Sequence, residues 1–150
     1  MSKQKMELRP GNVKQRFPNS LVPLVNGKAL IAAAKKHNAM IMATNIRCRL
    51  PVAGIVLASM AAKAPVMYEI AKSEMSYTEF SPQSFVDFIV AENERLGNTD
   101  VPFAIHADHL TVKKMEDVED VRSLMAQQLE AGFTSFAIDA SHMETEKNLA

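Results

Sequence analysis

A single cysteine, Cys48, leaves this chain unable to form an internal disulfide, as expected of a protein of the reducing cytoplasm. No apolar run approaches the roughly 18 to 20 residues of a membrane-spanning helix. The opening MSKQKMELRPGNVKQRF is polar and basic and lacks the apolar stretch of a secretory signal. Charge of one sign is not in excess. The 17 Lys and Arg balance the 17 Asp and Glu, which removes the electrostatic case for nucleic acid or an anionic membrane as partner. Neither GxGxxG nor GxxxxGK(S/T) occurs, so a dinucleotide or NTP site is not expected. These absences predict a soluble cytoplasmic protein.

What is present is enough for one domain with a real core: 150 residues, 47% hydrophobic and 23% charged. Residues 1–20 carry Pro10, Gly11 and Pro18 with no sustained period, so they read as an irregular leader. From residue 21 onward helical and strand patterns alternate. KALIAAAKK, residues 28–36, has strong helix propensity. AMIMAT, residues 39–44, reads as a strand buried on both faces. LPVAGIVLASMAAK, residues 50–63, returns to helix with Pro51 in its first turn. PVMYEI, residues 65–70, is the second strand. A polar connection through Phe80 leads to a helix entry at Ser81-Pro82, with Phe85, Phe88 and Ile89 on one stripe.

VPFAI, residues 101–105, is the third strand, and the spacing predicts that it ends near His106. An amphipathic helix over 116–131 stops at Gly132, and TSFAID, residues 134–139, is the fourth strand. Residues 141–148 open a further helix. Apolar strands alternating with helices predict an α/β fold with a parallel sheet of βαβ units. Four such units make half of an eightfold (β/α)8 barrel of the TIM type, which typically needs about 250 residues.

Asn45, Glu69, His106, Asp108, His109 and Asp139 fall at or near the C-terminal strand ends, where sites on such sheets lie. The tetrad His106-Ala107-Asp108-His109 is the densest of these. Strand alternation puts His106 and Asp108 on one face and turns His109 away unless the strand ends there. A divalent metal takes neutral imidazole, and a neighbouring carboxylate can move protons. Two histidines do not complete a zinc site, and a polar strand end that merely caps backbone remains an open reading of the tetrad.

In three segments the chain resembles the N-terminal half of the class II, metal-dependent fructose-bisphosphate aldolases and their tagatose-bisphosphate relatives. These are Ala43-Thr44-Asn45 with Ala64-Pro65-Val66, then VPFAIHADH (similar to VPxxLHxDH), then GFTSFAIDAS (similar to GF(T/S)SxMxDxS). The resemblance implies a lyase that reversibly cleaves a ketose 1,6-bisphosphate, fructose or tagatose, to dihydroxyacetone phosphate and an aldehyde phosphate. It implies Zn2+, or another divalent cation, as cofactor and a phosphorylated sugar as partner. Asp108 would be the proton-transfer carboxylate and His109 a metal ligand. Asn45 would lie near the bound substrate, Asp139 near a second cation, and His106 would orient its neighbours. The rest of the metal site and the phosphate loops belong to the family's second half. The implied assembly is a homo-oligomer or association with a second half or partner subunit.

Two positions depart from the family pattern: Leu110 stands where Cys is common, and Glu69-Ile70-Ala71-Lys72-Ser73 replaces a serine-containing turn. They keep a second reading in play, a non-catalytic aldolase-like regulatory or assembly subunit. Lys72 keeps a Schiff-base mechanism as a rival, against its plain reading as a solvated loop lysine. Glu69, a carboxylate within an apolar strand, is expected to form a structural ion pair or else touch substrate. His37, His142 and Cys48 read as ordinary surface or packing residues, and the methionines as core filler.

Overall fold

A computed structural model describes residues 7–143. The elements in order are α1 (Gly11–Arg16), α2 (Gly27–Lys36), β1 (Met42–Asn45), α3 (Val52–Ala62), β2 (Val66–Ala71), α4 (Pro82–Arg95), β3 (Phe103–Thr111), α5 (Asp117–Ala131) and β4 (Ser135–Asp139). A short 3-10 turn, Glu74–Ser76, follows β2. The four strands form one parallel sheet in the order β1-β2-β3-β4. Each sequential pair is joined by a helix, so the chain is a run of βαβ units and the expected α/β half-barrel is observed.

Side-chain alternation divides the sheet into two chemistries. Tyr68 and Ile70 of β2 join Phe103, Ile105 and Ala107 of β3 in the main core, with Val52 and Val56 of α3, Phe85 and Ile89 of α4 and Val121 of α5. The residues between them, Met67 and Ala104, belong to a second cluster with Val25 and Leu30. Helix α2 thus covers the lower part of the face turned away from α3, α4 and α5. Farther up that same face the side chains become Glu69, His106 and Asp108. An apolar floor and a polar rim are written into alternate residues of two strands.

Local chemistry sets the helix ends. Ser81 caps α4 by accepting from the Ser84 N–H at 3.1 Å, and Ser84 Oγ accepts from the Ser81 N–H at 2.9 Å. Gly132 ends α5 at φ 103°, a left-handed conformation that glycine adopts without penalty.

Several boundaries differ from the sequence reading. The leader is not wholly irregular. α1 buries Val13 completely, and Asn12 Nδ2 donates to the carbonyls of Leu129 and Phe133 at 2.7 and 3.0 Å. Six residues are too few to display a helical period. The first strand begins at Met42, and Met42 and Ala43 are exposed. It has one neighbour, β2, so an apolar run that reads as doubly buried lies at a sheet edge. The third strand continues past His106 to Thr111. The helix expected over 141–148 falls mostly outside the described residues.

Candidate active site

β2 and β3 pair in parallel with Glu69 opposite His106 and Ala71 opposite Asp108. Glu69 and His106 therefore project side by side, and Asp108, two residues on, projects from the same face. One ligand atom from each of the three lies within 4.8 Å of the others.

Past Asp108 the pairing of β3 with β4 shifts register between Ala107 and Leu110. His109 sits inside the irregularity at φ 46°, in the left-handed region. This is the action of a bulge, which inserts a residue and re-aims a side chain. Regular alternation would send His109 to the opposite face. The bulge brings its Nε2 to 3.7 Å from Asp108 Oδ2 and its Nδ1 to 3.2 Å from Asp139 Oδ2. The two tetrad residues thus emerge together by a kink within the strand, whereas the sequence reading expected the strand to end. A left-handed non-glycine residue costs on the order of 1–3 kcal/mol, and such residues cluster at working sites.

The electrostatics follow from this packing. Burial pushes the Glu69 carboxyl up, and the nearby charges of Asp108 and Glu74 push it further, against the pull of His109. Burial pushes the His106 imidazole down, against Asp108 and the Ser135 backbone. His106 Nδ1 is buried without a hydrogen-bond partner of good geometry. His109 is raised by its hydrogen bond to Asp139 and then by the charge of Asp108. Asp139 is held down at about 2, first by the Ser141 hydroxyl and backbone N–H and then by His109. Its Oδ1 accepts from Ser141 Oγ at 2.6 Å.

The ion pair expected of Glu69 is not formed. Among the described residues no cation lies within ion-pair distance of it, and its neighbours are His106 and Asp108. Two carboxylates beside a neutral imidazole with an unused nitrogen are a donor set that fits a divalent cation.

Asn45, at the end of β1, donates from Nδ2 to Glu74 Oε2 at 3.0 Å. Glu74 was not singled out in the sequence. It is buried in the turn after β2, and its Oε2 also accepts from the Ala71 N–H at 2.9 Å. Arg47 donates to its Oε1. This knot ties the C-terminal ends of β1 and β2 together. The available signal was a carboxylate in a turn that also receives Arg47 from the neighbouring strand end, visible only once the strands are paired.

A parallel βα sheet with titratable groups gathered at its carboxyl rim is the architecture of barrel enzymes. The chain belongs to the class II fructose-bisphosphate aldolase family, whose model matches residues 25–150. It is 24% identical over 128 residues to a fructose-bisphosphate aldolase of Giardia intestinalis, a match covering 85% of this chain and 36% of that protein. The YdjI aldolase of Escherichia coli K12 superposes with a TM-score of 0.62 at 22% identity, over 84% of this chain and 43% of that one. A probable tagatose 6 phosphate kinase of Sinorhizobium meliloti 1021 superposes with a TM-score of 0.58 at 22% identity, over 67% and 29%. The chain therefore spans less than half the length of each of these relatives, and its fold is part of a TIM barrel.

Proposed function

We propose that this chain carries the proton-transfer side of a class II aldolase site, acting on a ketose 1,6-bisphosphate of the fructose or tagatose series. The observation that carries the reading is the convergence of Asp108 and His109, 3.7 Å apart at the bulge in β3, beside the Glu69–His106 pair. Asp108 takes the proton from the C4 hydroxyl as the C3–C4 bond breaks, releasing an aldehyde phosphate. The electron pair of that bond passes to the three-carbon fragment as an enediolate, which on protonation becomes dihydroxyacetone phosphate. In the reverse direction Asp108 returns its proton to the new hydroxyl.

Zn2+, or another divalent cation, bound at this rim would supply Lewis-acid stabilisation of the developing negative charge. His109 Nε2, Glu69 and His106 are the residues proposed to hold it. With Nδ1 donating to Asp139, the imidazole of His109 keeps an Nε2 lone pair for that purpose. Asp139, both of whose oxygens are engaged, is accordingly proposed to orient His109 rather than to ligate. Asn45 is proposed to face the substrate through its carbonyl oxygen, its amide nitrogen being held by Glu74. The remaining strands and ligands would come from a second half or a partner subunit. A cytoplasmic role in carbohydrate metabolism suits a chain whose one cysteine, Cys48, is exposed and unpaired.

The test is release of dihydroxyacetone phosphate from fructose and tagatose 1,6-bisphosphate by the chain joined to the rest of its barrel, before and after chelation. Asp108→Asn is expected to lower kcat by about 10²- to 10⁴-fold. Full activity in that variant ends the proposal.

A further inference from the structure

Asn45, Glu69 and His106 stand in one row across β1, β2 and β3, so the Asn45 side chain leaves the sheet on the face that carries the cluster. Glu74 grips that side chain from the turn after β2, its Oε2 accepting from Asn45 Nδ2 at 3.0 Å. We propose that Glu74 is a positioning residue: by holding the Asn45 amide with its oxygen turned to the rim, it makes the end of β1 a reader of a sugar hydroxyl. The sugar in this inference rests on the aldolase reading, whereas the grip on Asn45 does not.

A primary amide has two unlike ends. Its nitrogen donates, its oxygen accepts, and a half-turn about the last side-chain bond exchanges them. Facing water alone, Asn45 would offer a ligand either end. A carboxylate removes that choice, because the ionised form only accepts. Burial pushes the Glu74 carboxyl up, but the Ala71 N–H, Asn45 and Arg47 outweigh it and hold the group below its usual value. The carboxylate is itself pinned and does not swing to follow the amide. Its Oε2 also accepts from the Ala71 N–H at 2.9 Å, and its Oε1 takes Arg47. Glu74 is only 4% exposed, so it acts through what it holds and not by touching a ligand. Asn45 Oδ1 accepts no hydrogen bond among the described residues. A fixed acceptor suits a hydroxyl, which donates, and is mismatched to a phosphoryl oxygen or a carbonyl, which only accept.

Two measurements separate the grip from the chemistry. In the first, hydrogen exchange of the Asn45 side-chain NH2 group is followed by NMR in the full chain. Exchange about tenfold slower than that of the exposed Asn38 is expected. The protection should be lost in Glu74→Met, largely kept in Glu74→Gln, whose side-chain oxygen still accepts, and unchanged in Glu79→Gln at an exposed position of the same loop. A parent in which Asn45 exchanges as Asn38 does, or protection that survives Glu74→Met, overturns the proposal.

In the second, cleavage of a ketose 1,6-bisphosphate by the chain joined to the rest of its barrel is measured for Glu74→Met, Asn45→Ala and the double variant. Each single change should raise KM about tenfold with a smaller change in kcat. The double variant should be no worse than Asn45→Ala, because Glu74 works through Asn45. Glu74→Gln, although less stable, should keep a KM near that of the parent. Among substrate analogues each lacking one hydroxyl, one should lose about tenfold in kcat/KM with the parent and nothing further with Asn45→Ala. Losses that multiply in the double variant, KM values that track thermal stability, or analogues that parent and Asn45→Ala rank alike overturn the proposal. A parent that cleaves no ketose bisphosphate, while exchange at Asn45 follows Glu74, ends the aldolase reading and leaves the grip standing.

Discussion

Glu69 and His106 stand opposite one another in the β2–β3 register, and the carboxyl of the first is pushed up while the imidazole of the second is pushed down. Both shifts begin with burial, and both favour the neutral form. A divalent cation placed between them would reverse the cost for the carboxylate and use the neutral imidazole as it is. Glu69→Gln and His106→Ala are therefore each expected to weaken Zn2+ or Mn2+ binding by about tenfold or more, measured by competition with a chromogenic chelator. Unaltered affinity in both variants would remove these two residues from the metal centre.

His109 offers a direct reading of its own hydrogen bond. Asp139 and then Asp108 raise its pKa, so any stability it contributes is present below the ordinary imidazole value and is lost as pH rises through the raised one. Replacing Asp139 with Asn removes the first-ranked cause. The His109 titration, followed through its ring Cε1–H resonance in the metal-free chain, should then move toward lower pH. A His109 titration unaffected by the substitution would mean that the 3.2 Å contact with Asp139 does not persist in solution.

At the start of β4, α2 enters so close to the strand that residue 27 must lack a side chain. A Cβ on Gly27 would lie 2.6 Å from Ser135 Cβ and 2.9 Å from its Oγ, while the Gly27 N–H donates to the Thr134 carbonyl at 3.0 Å. The backbone cannot retreat without losing that bond. Gly27→Ala is expected to cost about 1–3 kcal/mol as an overpacking change, despite alanine's better helix propensity, and urea denaturation checks it. A variant as stable as the parent would show that α2 can slide on the sheet.

The fold was largely readable because its signals are local. Apolar strand runs, the Ser81-Pro82 helix entry and the Gly132 stop each follow from a few neighbouring residues. The edge position of β1 was not readable, since an apolar run looks the same whether one strand or two lie beside it. In the site, the tetrad was visible as a cluster of residue types, but the route by which Asp108 and His109 come together was not. A bulge depends on how β3 pairs with β4, and nothing in HADH specifies a left-handed residue at its fourth position. Glu69 stands out in the sequence as an anomaly, but the ion pair expected of it is absent among the described residues. Its opposite number, His106, lies 37 residues away in the chain and is fixed only by register.

Glu74, a carboxylate that no sequence pattern marks, provides the clearest pH signature outside the Glu69, His106, Asp108 and His109 cluster. Burial pushes its carboxyl up. The Ala71 N–H, Asn45 and Arg47 together outweigh burial and hold it below its usual value. A depressed carboxylate contributes stability above its unfolded pKa, and that contribution disappears as pH falls through the folded value. The parent chain should therefore lose stability progressively below about pH 4.5, near the unfolded glutamate pKa. Glu74→Gln removes the charge while keeping the shape, leaving the Ala71 N–H and the Arg47 guanidinium with a weaker acceptor. Arg47 is more than half exposed, with 58% of its side chain accessible, so water can compensate in part. The cost near pH 7 is then expected at about 1–3 kcal/mol. The stability curves of parent and variant should converge as pH falls. Parallel curves down to pH 3 would mean that the knot joining β1 to β2 is not ionic.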